Sequence, residues 1–90
     1  MKYFEWPIEK NNKLISERDI SFEKVVWHIE NGHILDIVDH PNMEKYPKQK
    51  MFILEIEDYV YCVPFVEAET SVFLKTIFPS RKLTLKYLGA

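Results

Sequence analysis

Near the C-terminus the side chains able to engage a phosphate-bearing ligand stand together. Lys75, Arg81, Lys82 and Lys86 follow Thr70 with no acidic residue among them, whereas Glu55, Glu57, Asp58, Glu67 and Glu69 precede them with no basic one. The net charge of −2 therefore conceals a locally basic end, and an anion such as RNA responds to the local potential rather than to the total. Metal-free chemistry at a phosphodiester would take a base for the attacking hydroxyl, a cation for the charge that builds at phosphorus and an acid for the departing oxygen. Arg81 is the first choice for a phosphate clamp, with Lys75 and Lys82 in support. His40 is the acid/base candidate, because a histidine at a strand end before a proline-fixed loop is both accessible and held. Glu55, which alternates with Leu54 and Ile56 along a strand, is a candidate base. Trp6 and Tyr87 are candidates for stacking on RNA bases, with Lys82 and Lys86 beside Tyr87 as RNA contacts.

Each of these residues also has a plainer reading. Arg81 and Lys82 fit a solvated helix surface, and Trp6 fits packing against the first helix. His28 and His33 are expected to be structural, with His33 near the carbonyl end of a helix. The three histidines, His28, His33 and His40, are five and seven residues apart. They lack the histidine and carboxylate spacing of a helical metal site, so neither metal nor cofactor is expected. With Gly32 and Gly89 as its only glycines, the chain has no glycine-rich phosphate loop. Cys62 is the single cysteine; it cannot form an intramolecular disulfide, and its place in the run YVYCVPFV suits a small buried hydrophobe.

The elements that must position these groups follow from periodicity. Ninety residues, 47% hydrophobic and 29% charged, suit one folded domain over 1–90. Residues 2–6 alternate aromatics with charges and predict a short strand, ended by Pro7, which is well suited to the first position of a helix over 7–19. Ser21 precedes Phe22, Val25, Val26 and Ile29, whose spacing places four apolar side chains on one helical face, with Ser21 as N-cap and Gly32 as stop. Strands are then expected over 34–39, 50–57, 59–66 and 71–78, joined by turns short enough to require antiparallel neighbours. Period-2 counting puts Phe73, Lys75 and Ile77 on one face of the last strand. Pro64 has no N–H for the ladder, so a bulge, an edge or an early end to pairing is expected there. Ser80 caps a final helix containing Leu83, Leu85 and Leu88. This order predicts an α+β domain, the helices on one face of a sheet that the first strand also joins.

Particular words in the chain go further. The opening FEWPIEKNNKLISERDISFEKVV resembles the start of BrnT-family toxins, which typically reads like FEWDxxKNxxNxxKHGISFEEA. Pro79-Ser80-Arg81-Lys82 resembles the Ser-Arg-Lys type word that begins that family's closing helix. The two matches touch both ends of the chain and, by order of elements, cover most of it. Three stretches depart from the pattern: Glu17-Arg18-Asp19 stands in place of Lys-His-Gly, Ile77-Phe78-Pro79 stands where an arginine usually precedes the closing word, and the loop from His40-Pro41-Asn42 to Tyr46-Pro47-Lys48-Gln49-Lys50 has no counterpart in it. The resemblance implies a RelE-like fold with a short first strand, two helices, an antiparallel meander and a C-terminal helix. It also implies a ribonuclease toxin of a type II toxin–antitoxin pair, which cleaves RNA and inhibits translation until a cognate antitoxin neutralises it. The alternative is a catalytically inactive protein-binding module on the same scaffold. No apolar run is long enough to span a bilayer, and Glu5 and Glu9 interrupt the start where a secretory signal would be apolar, so a cytoplasmic protein without membrane contact is expected.

Overall fold

Proline, capping and tight turns cut the chain into its elements. A computed structural model describes residues 2–89. The elements are β1 (Tyr3–Glu5), α1 (Ile8–Arg18), α2 (Phe22–Glu30), β2 (Ile34–Asp39), β3 (Gln49–Ile56), β4 (Tyr59–Glu67), β5 (Ser71–Leu74), β6 (Phe78–Pro79) and α3 (Arg81–Leu88). Pro7 is the extended residue before α1 rather than its first helical position, and its carbonyl accepts from Asn11 N–H at 3.0 Å. Ser21 and Ser80 cap α2 and α3 as expected, each hydroxyl accepting the N–H three residues on.

The strands form one mixed sheet in the order β1-β5-β4-β3-β2, with β6 pairing β4 beyond the end of β5. The meander from β2 to β5 is antiparallel, while β1 joins its edge parallel to β5, Tyr3 opposite Ser71. Side chains alternate between the two faces. One face carries Phe52, Leu54, Ile56, Val63, Phe65, Val72 and Leu74, covered by Leu14 of α1 and Phe22 and Val25 of α2. The other carries Met51, Ile53, Val60 and Cys62, against which Leu83, Tyr87 and Leu88 of α3 pack. The expectation of all helices on one face is thus corrected: both sheet faces are apolar at mid-strand, so α3 covers the face that α1 and α2 leave open. Cys62 is buried there as expected.

The last expected strand is also corrected. β5 stops at Leu74, and pairing resumes only at Phe78. Phe65 faces Leu74 and Cys62 faces Phe78, so three residues, 75–77, oppose two, Val63 and Pro64. That extra residue is a β-bulge, set where Pro64 has no N–H to offer the ladder. Lys75 N–H still reaches the Pro64 carbonyl at 2.8 Å. The bulge breaks the alternation: Ile77 joins the core with Val72 and Leu74, and Lys75 is exposed rather than sharing a face with Ile77.

Candidate functional site

The bulge that redirects Ile77 also creates a surface concavity. Lys75 and Thr76 from the bulge, Phe78 from β6, Pro64 from β4, Gln49 from the start of β3 and His40 and Tyr46 from the β2–β3 loop line a groove of about 310 Å³. His40 and Lys75, chosen from sequence as an acid/base group and a cation, are 35 residues apart in the chain and meet at this groove.

Local hydrogen bonds explain the posture of His40. Its N–H donates to the Gln49 carbonyl at 3.0 Å, extending the β2–β3 ladder by one rung. Asn42 N–H donates to His40 Nδ1 at 3.1 Å, and the Asn42 side-chain oxygen accepts from Lys45 N–H, which folds the loop back on itself. The turn brings the Tyr46 ring to 4.5 Å from the His40 ring, centroid to centroid. Because Nδ1 accepts, the neutral ring holds its proton on Nε2, which makes Nε2–H the donor available to a ligand. Lys75 Nζ lies 5.3 Å from the centre of the Phe73 ring, a cation–π contact that steadies the ammonium without neutralising it.

The other sequence candidates are distributed differently. Arg81 opens α3 three residues after Phe78 and is exposed, with Lys82 beside it; neither lines the groove. Lys86 lies over the Tyr87 ring at 5.4 Å, while Tyr87 packs on the second core and its hydroxyl donates to Asp36 Oδ2 at 3.1 Å. Trp6 stacks on Phe22 at 5.8 Å, on the face of α1 and α2. Glu55 is six positions along β3 from Gln49, roughly 20 Å at the rise of a strand. It lines another concavity with His28, His33, Glu57 and Asp58. Tyr46 was missed by sequence reasoning; the prolines at 41 and 47 that bracket its loop were the available signal.

Four residues of the opening match, Trp6, Asn11, Phe22 and Glu23, meet in one joint. Asn11 is buried, its side-chain oxygen accepting Phe22 N–H at 2.8 Å and its amide donating to Glu23 Oε1 at 2.7 Å. Trp6 stacks on the same Phe22. Asp19, at the position of the family's glycine, closes α1 in the left-handed region with φ 54 and ψ 37, a conformation glycine adopts without strain. Comparison of the chain with family models, curated proteins and solved structures finds no match.

Proposed function

We propose that the chain is a RelE-like ribonuclease toxin of the BrnT type, cleaving RNA without a metal and held inactive by a cognate antitoxin. The observation that carries this reading is the convergence of His40, Tyr46 and Lys75 on one groove. Two further features support the scaffold that this reading assumes. The joint of Trp6, Asn11, Phe22 and Glu23 gives a structural reason for the opening words shared with that family, and a left-handed residue stands where the family has glycine.

In this mechanism the RNA backbone lies along the groove. The 2′-oxygen attacks phosphorus and the bond to the 5′-oxygen breaks, leaving a cyclic phosphate and a free 5′-hydroxyl. Lys75 stabilises the negative charge that builds on the phosphorane, where an oriented cation acts most strongly. As the 2′-oxygen bonds to phosphorus its proton passes through the Tyr46 hydroxyl to solvent water, and His40 Nε2–H gives its proton to the leaving 5′-oxygen. Arg81 and Lys82, at the positive end of α3, hold a neighbouring phosphate. Glu55 has no part, being placed at the opposite end of β3.

A second reading rests on that placement of Glu55. With the candidate carboxylate base in a different concavity, the groove and the exposed Arg81, Lys82 and Lys86 also suit a module that binds an acidic partner chain without chemistry. Induced expression of wild type and Lys75→Ala at matched protein levels separates the two. The toxin reading expects amino-acid incorporation to collapse within minutes in wild type only, and the purified protein to cut RNA in excess chelator. Uncut RNA and unaffected growth in both would leave the binding module.

A further inference from the structure

His28 and His33 are five residues apart, too far for neighbouring positions on a helix, yet the fold brings their rings together. α2 ends at Glu30, Gly32 turns the chain with φ +80, and His33 N–H bonds the His28 carbonyl at 3.0 Å. The two Nδ1 atoms then stand 2.6 Å apart. At that distance only one of them can carry a proton, so the other presents a lone pair to the same point in space. Burial, then the neighbouring His33 and Lys24, lowers the proton affinity of His28 against the opposing pull of Glu57. Glu55, Glu57 and Asp58 line the same concavity, of about 210 Å³. Lys24 is the cation there, paired with Glu57 at 2.7 Å.

We propose that His28 and His33 form a two-nitrogen clamp for a borderline divalent transition-metal ion, with Cu²⁺ the tightest binder. Imidazole nitrogens suit this class of ion, and copper heads its affinity order. Adjacent positions of a tetragonal ion with bonds of about 2.0 Å put two nitrogens about 2.8 Å apart, so the ring nitrogens are already at nearly the right separation, and each ring has to turn so that its lone pair points at the ion instead of at the other nitrogen. Among the described residues no three His, Cys, Asp or Glu side chains stand in ligand geometry. Water therefore completes the coordination, and the three carboxylates act through their charge and through water. The clamp is separate from the RNA groove and does not depend on it.

Trp27 supplies a readout that needs no activity, since its ring meets His28 at 5.0 Å and His33 at 5.7 Å, edge-on to both. Copper titrated into the full chain is expected to quench tryptophan emission saturably at one equivalent. Electron paramagnetic resonance should show coupling to two imidazole nitrogens. His33→Ala or His33→Gln should raise the midpoint about tenfold or more, while His40→Ala leaves it in place and circular dichroism confirms that each variant is folded. Quenching that never saturates, or that persists unchanged in both His33 variants, overturns the proposal and leaves a pair of rings sharing a proton.

Discussion

At the scale of single residues, chemical type was legible and location was not. His40 and Lys75 stood out in the sequence because a proline-fixed histidine and a lysine in an apolar strand are unusual, and both line the groove. Glu55 satisfied the same kind of argument, yet alternation tells only which face a strand residue takes and nothing of which end of the sheet it serves. On the toxin reading, Lys75→Ala lowers the RNA cleavage rate about 100-fold or more. Its stability should stay within about 0.5 kcal/mol of wild type, because the side chain is exposed. Glu55→Gln should cleave at the wild-type rate in the same assay. Asn11 is the opposite case, a polar residue in an exposed-looking helix that is 6% accessible and bonded twice to α2. Asn11→Ala strands the Phe22 N–H, and a loss of about 1–3 kcal/mol in urea unfolding is expected. The words of the opening match are thus structural in this chain, which ties them to the fold rather than to the chemistry.

Among the elements, those with a local cause were readable. Ser21 and Ser80 cap their helices through bonds that span three residues, and a short turn joins β3 to β4 as expected, although Glu57, expected to end the strand, is with Asp58 part of the turn, both at positive φ, the geometry of a two-residue hairpin. The end of β5 was not readable, because the bulge depends on Pro64 being its neighbour across the sheet. The seat of α3 likewise depends on a distant partner. Buried Thr84 accepts Val60 N–H at 3.0 Å and donates to the Ser80 carbonyl at 2.7 Å, bolting the helix to β4. Thr84→Val keeps the shape and orphans that N–H, so urea unfolding should show a loss of about 1–3 kcal/mol, with Thr84→Ser recovering most of it.

For the whole molecule, the two-sided sheet sets the pH response. Burial raises the Cys62 thiol above its ordinary 9.0. Burial, with the hydrogen bond to Asp36 and the charge of that carboxylate, raises the Tyr87 hydroxyl above its ordinary 10.0. Both groups lie in the layer between α3 and the sheet. The folded state keeps these protons to a higher pH than the unfolded chain does, so their contribution is complete below about pH 9 and is lost as pH rises through the folded values. The melting temperature should therefore fall on the alkaline side, and Cys62→Ala should flatten the first part of that fall relative to its own neutral-pH value. By itself the amino-acid sequence determined the helices, most of the strands, the antiparallel meander and the burial of Cys62, because periodicity, caps and tight turns act over a few neighbouring residues. Only the tertiary structure decided that α3 takes the second sheet face, that β1 runs parallel to β5, and that His40 and Lys75 line one groove. Those outcomes depend on sheet order and on a bulge opposite one proline, which bring together residues that local spacing leaves unrelated.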